Sequence, residues 1–253
     1  MSRQHGLKTD LTELKLLAKS LLHMEPEQTE FSPIIVHHPF TSSGIVGLKD
    51  AEGNLRIGNI VESPEDRKQW QKQMAGIIDG CDNAFSIYHL IEKQYALAFF
   101  KYAAPSLSKA DYSAILADAW IRSEQPNHDP NLPQSRLLAM FRAADPKLLM
   151  DEQERNRLDE LEDTVTVYRG VRSARSDGIS AMSWTLDKDT AAWFANRYGR
   201  QGKVYEAKIE KKHIQALFLG RNESEVILDP KYLTDITQVQ DLQQGMDMQE
   251  QTM

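Results

Sequence analysis

The chain has 253 residues and a net charge of −7, with 41% hydrophobic and 26% charged residues. That acidic balance argues against a general nucleic-acid binder, and no run of about 18 apolar residues is present to cross a bilayer. One cysteine, Cys81, rules out an internal disulfide and a cysteine-rich metal site. Met1 to Asp10 are polar and lack the apolar core of a secretory signal, so a cytoplasmic chain with no membrane association is expected. Cys81 lies between Gly80 and Asp82 with no group nearby to activate a thiolate.

In chain order, Leu14, Leu17, Leu21 and Leu22 give the segment from Leu11 to His23 one apolar face, and Pro26 follows its end. Extended runs come next at Pro33–His38, Ile45–Leu48 and Leu55–Val61, with a turn at Asp50–Asn54 around Gly53, which predicts a small sheet. From Pro64 the period becomes helical, with helices predicted at 65–79, 84–103, 109–123, 134–143 and 152–162. Ser63 with Asp66, and Ser108 with Asp111, supply the capping pattern of helix starts. The stretch 124–133, with three prolines, reads as a loop. Beyond Asp163 strands are predicted at 164–168, 179–185, 204–209, 214–218 and 225–228, interrupted by a helix over 188–198 that Asp187 can cap. The Gln-rich tail after Asp241 holds too few apolar residues to pack.

This gives an α+β chain in four parts: a helix plus small β region (1–62), a helical region (63–163), a strand-rich core (164–240) and a flexible tail (241–253). From Thr164 to Arg221 there are eleven Lys/Arg against five Asp/Glu, so the last third is basic within an acidic chain. A phosphate-bearing ligand or an RNA would be drawn there; a solvated face with Lys211 and Lys212 in a loop accounts for the same charges.

Three short motifs in that segment carry chemistry. Tyr168-Arg169-Gly170 closes an apolar strand: Gly170 allows a tight turn, and Arg169 presents a planar fork to a phosphate or ribose, or simply joins a surface ion pair. In Ser183-Trp184-Thr185, alternation puts both hydroxyls on one face. In Glu223-Ser224-Glu225, an extended backbone would point both carboxylates to one side about 6–7 Å apart, as a solvated hairpin edge or as a pair that divides labour. No HExxH-like spacing exists among the seven histidines, and His37-His38 reads as structural, so no metal is expected. There is no GxGxxG or GxxxxGK[ST] phosphate loop either.

Arg169, the Ser-x-Thr of Ser183 and Thr185, and the Glu-x-Glu of Glu223 and Glu225, spaced by fourteen and then forty-two residues, resemble the signature of the arginine–serine–glutamate class of mono-ADP-ribosyltransferases. The match spans about 164–230. The diphtheria-like class begins with a histidine, and none stands at 169. The resemblance implies a split β-sandwich with an NAD cleft and NAD+ as substrate. Glu225 would stabilise the ribosyl cation, Ser183 would orient it, and Arg169 would bind the phosphates or ribose. Gly170, Trp184, Thr185 and Phe194 would complete the NAD-binding set. Glu223 would activate an arginine acceptor. A toxin-like transfer to a protein arginine is expected; an RNA acceptor, with Trp184, Trp193 and Tyr198 stacking bases, and a non-catalytic NAD- or protein-binding module are the alternatives. The region before 164 would choose targets, bind a neutralising partner or buttress the sheet.

Overall fold

A computed structural model describes residues 8–50, 52–123, 127, 132–172, 176–197, 202–220 and 223–239, so the tail after Asp241, Tyr198 and most of the loop 124–133 lie outside the described residues. The chain is mixed α and β and forms two compact units, Met1–Leu132 and Pro133–Met253. The boundaries expected at 62/63 and 163/164 are not where contacts part. The helical region is shared out instead, its first helices to the first unit and its last three to the second. Among the described residues no helix is long and apolar enough to cross a membrane.

In the first unit, α1 (Leu11–Leu22) starts where the Asp10 carboxylate accepts from Thr12 N and Glu13 N, and buries Leu14, Ala18 and Leu22 at helical spacing. Two small sheets follow rather than one. Strands β1 (Glu27–Thr29), β2 (Ser32–His38) and β3 (Thr41–Ser43) form the first, and β4 (Ile45–Lys49) with β5 (Leu55–Asn59) the second. The β4–β5 turn is as the sequence implies: Gly53 has φ +86°, and Asp50 Oδ1 accepts from Asn54 N at 2.8 Å. Strands β1 and β3 are three residues each and too short to leave a pattern.

Helix α2 (Pro64–Gly80) begins at Ser63, whose hydroxyl accepts from Asp66 N at 3.1 Å. The single helix expected over 84–103 is broken into α3 (Ala84–Tyr88) and α4 (Ala96–Ala103), because Glu92 N donates to Pro39 O at 2.8 Å instead of to a helix carbonyl. Helix α5 (Lys109–Arg122) is capped by Ser108 and carries Trp120, which with Tyr88, Phe99 and Phe100 fills the core. Burial pushes the Cys81 thiol up, away from reactivity.

His38 is fully buried beside Trp70, with ring centroids 5.1 Å apart, and its Nδ1 accepts from Phe40 N at 3.1 Å. Burial lowers its pKa; the carbonyls of Leu22 and Met24 oppose this without forming a hydrogen bond at Nε2. The unfolded chain therefore binds the proton more readily, and stability is lost as pH falls below the ordinary histidine value. Denaturant midpoints of the wild type should fall between pH 7.5 and 5.5 with a His38 contribution of at most about 1.4 kcal/mol per pH unit. His38→Asn, whose Oδ1 can replace Nδ1, should flatten that dependence; an equally steep one in the variant would refute the assignment.

The second unit opens with α6 (Gln134–Ala143), α7 (Pro146–Leu149) and α8 (Glu152–Asp159). Glu154 completes a capping box with Asp151 and also accepts from Leu219 N at 3.0 Å, tying α8 to the end of a strand. Strands β6 (Thr164–Val171), β7 (Ser183–Thr185), β8 (Lys203–Glu210), β9 (Ile214–Phe218), β10 (Glu225–Leu228) and β11 (Thr234–Gln238) form one sheet in the order β11-β8-β6-β7-β10-β9, every neighbour antiparallel. Of the strand expected over 179–185 only Ser183–Thr185 forms: Ile179 and Ser180 end a 3-10 turn that runs over Ser176–Ser180, and Ala181 and Met182 link it to the strand. Helix α9 (Lys188–Asn196) is capped by Asp187 as expected, Oδ1 accepting from Asp189 N at 2.9 Å.

The sheet is nearly divided. Strands β6 and β8 pair along eight residues, whereas β6 and β7 meet at the single registered pair Tyr168↔Thr185. Within the one sheet, β11-β8-β6 and β7-β10-β9 are joined through that pair, and the site lies at the junction.

Candidate active site

Strand β6 delivers Arg169 to the junction. Its Nε donates to Gly178 O at 2.6 Å and its Nη1 donates to Ser183 O, so the guanidinium bridges the turn before β7 to β7 itself. Burial lowers its pKa to about 10, with the Glu225 charge pulling the other way, and it stays cationic at neutral pH. Arginine suits this place because two of its five donors can serve carbonyls while the charge remains delocalised.

Strand β7 supplies Ser183 and β10 supplies Glu225. Their register pairs Thr185 with Glu225 and Ser183 with Ile227, which makes Ser183 and Glu225 diagonal neighbours. The Ser183 hydroxyl donates to Glu225 Oε1. Residues 169, 183 and 225 thus meet on three adjacent strands, and the carboxylate, half-buried, lies within the field of the guanidinium. Glu225 opens the apolar strand Val226-Ile227-Leu228, all fully buried, which anchors it from behind. Beyond that strand Asp229 accepts from Arg142 Nη2 at 2.5 Å and pairs with Lys231 at 3.2 Å.

The other predicted residues take different places. Gly170 does not make a turn: it lies inside β6, opposite Val204, and a Cβ there would overlap the Ala191 carbonyl and Ala195 N of α9. Its bareness lets the helix lie directly on the strand. Trp184 is 2% exposed and its Nε1 donates to Ala181 O at 3.0 Å, so the indole is core. Phe194 is half-buried on α9, edge-on to Trp193 at 4.9 Å and outside the hydrogen-bonded group.

Thr185 is 6% exposed; its hydroxyl donates to Glu223 O at 2.6 Å and accepts from Asp187 N at 3.0 Å. The extended Glu223-Ser224-Glu225 geometry is not what forms. Ser224 has φ +43°, a left-handed conformation costing an L-residue about 1–2 kcal/mol, and the strand begins only at Glu225. Strand alternation therefore does not set the relation of Glu223 to Glu225.

Sequence reasoning missed the Gly178 carbonyl and the Thr185 tie. The first left no signal, being main chain. A hydroxyl two residues before the capping Asp187 was the legible sign of the second. Among the described residues no group of three or more His, Cys, Asp or Glu could hold a metal ion. Compared with protein-family models, curated proteins and solved structures, the chain gives no match.

Proposed function

We propose that the chain is an NAD-dependent mono-ADP-ribosyltransferase whose acceptor is a protein arginine. The observation that carries this is the meeting of Arg169, Ser183 and Glu225 on adjacent strands, with the Ser183 hydroxyl bonded to the Glu225 carboxylate. These residues are far apart in the chain, and they are the ones on which the resemblance rests. A sheet nearly parted into two antiparallel halves supports the same reading, since a split sandwich would hold NAD at such a junction.

In this reading the bond from ribose C1′ to the nicotinamide nitrogen breaks, and nicotinamide leaves with the bonding pair. The ribosyl oxocarbenium ion left behind is stabilised by Glu225, which Ser183 orients. A guanidine nitrogen of the acceptor then bonds to C1′ and gives up a proton to Glu223. Arg169 holds the strand junction in shape and contributes positive charge toward the dinucleotide phosphates.

An RNA acceptor is the second reading, favoured by Trp193, which is 57% exposed with Arg197 lying 5.0 Å over its ring. Part of the basic segment is already engaged: Lys211 Nζ donates to Leu161 O at 2.7 Å and Lys212 pairs with Glu210 at 2.7 Å. Incubating the protein with adenylate-labelled NAD and a cell lysate, then digesting with protease or nuclease, separates the two. Label released by protease and retained through nuclease is the expected result; label released only by nuclease would replace the arginine acceptor with RNA.

A further inference from the structure

We infer that Thr185 is a positioning residue for Glu223, and that through Glu223 it governs whether the cleaved ADP-ribosyl group passes to a guanidine or to water. The inference rests on the transferase reading above and adds to it a division of support between the two carboxylates.

Glu225 has its own supports: the Ser183 hydroxyl and pairing with Thr185 and Phe218 on either side. Glu223 lies outside any strand, in the two-residue approach to β10. Two bonds from the β7 end hold that approach. Thr185 Oγ1 donates to Glu223 O at 2.6 Å, and Leu186 N donates to Ser224 O at 3.0 Å. Because the Thr185 hydroxyl also accepts from Asp187 N at 3.0 Å, the approach is fixed to the start of α9. Ser224 is left-handed at φ +43°, a conformation that a serine keeps only where its surroundings impose it. Thr185 is buried, so its hydroxyl is committed to the main chain of this turn.

The chemistry separates at the same place. Cleavage of the nicotinamide bond needs a fixed negative charge beside the ribose, which Glu225 supplies. An arginine acceptor is protonated at neutral pH and must lose a proton as its nitrogen bonds to C1′, which needs a carboxylate in reach. Water attacking C1′ can lose its proton to solvent. A displaced Glu223 therefore penalises transfer to guanidine more than hydrolysis.

The test measures nicotinamide release and ADP-ribosyl transfer to a small guanidine, arginine amide, in the same reaction. Thr185→Val should lower the ratio of transfer to release about tenfold or more, chiefly through kcat for transfer. Thr185→Ser, which restores the hydroxyl, should recover most of it. Ser224→Val, whose β-branched side chain disfavours the left-handed φ of +43° at that position, should lower the ratio in the same direction. A folded Thr185→Val protein with the wild-type ratio overturns the inference, as does Thr185→Ser performing no better than valine. If Thr185→Val does not fold, Ser224→Val decides, and an unchanged ratio there overturns it. Wild-type protein that releases nicotinamide but never modifies guanidine also overturns it. No nicotinamide release by the wild type would remove the transferase reading itself and this inference with it.

Discussion

Changing Glu225 to Gln should lower nicotinamide release by a factor of about 10²–10³, equivalent to about 3–4 kcal/mol of transition-state stabilisation. The amide is the same size and can still accept from the Ser183 hydroxyl that now bonds to Oε1. What is lost is the negative charge, which matters most when positive charge develops on the ribose. Folding should change little, because the buried residues behind it, Val226, Ile227 and Leu228, are untouched. A rate within about threefold of wild type would mean that the carboxylate is not facing the developing cation.

Arg169→Met should have the larger effect on stability. The guanidinium satisfies the carbonyls of Gly178 and Ser183, and methionine fills similar space while leaving both without that donor. Losing charge-assisted bonds and stranding their acceptors costs about 2–4 kcal/mol in total, read as a lower denaturant midpoint. Release of nicotinamide should fall with it, since the turn at 176–180 and the backbone of Ser183 are no longer held together. Arg169→Lys should recover part of the stability, a point charge being able to reach one carbonyl but not to fork between two. An Arg169→Met protein as stable as wild type would show that the bridge contributes nothing.

Much of the architecture was legible because it is encoded locally. Asp187, Ser63 and Ser108 announced helix starts that form as read. Ile214–Phe218, Glu225–Leu228 and Gln134–Ala143 form where their apolar patterns place them. The misreadings share a cause in contacts from elsewhere in the chain. The run 84–103 is apolar enough for one helix, and it is interrupted where Glu92 N bonds to Pro39 O and the backbone at Glu92 leaves the helical conformation. Strand β11 buries no residue, so its existence depends on pairing with β8 rather than on an apolar face of its own.

At the site, Arg169, Ser183 and Glu225 stand on three adjacent strands, and the places of their companions are set by packing. Gly170 serves the approach of α9, and Thr185 serves the turn that carries Glu223. Strand alternation could not foresee the left-handed Ser224, which changes the direction of the chain between the two glutamates.

The most direct measurement is release of labelled nicotinamide when purified protein is given NAD carrying the label in the nicotinamide ring, with no macromolecular acceptor present. Slow release well above the rate in buffer is what a site built from Arg169, Ser183 and Glu225 should give, because water can take the ribosyl group. Release no faster than in buffer, unchanged when a cell lysate is added to supply acceptors, would contradict the proposal that this site cleaves NAD.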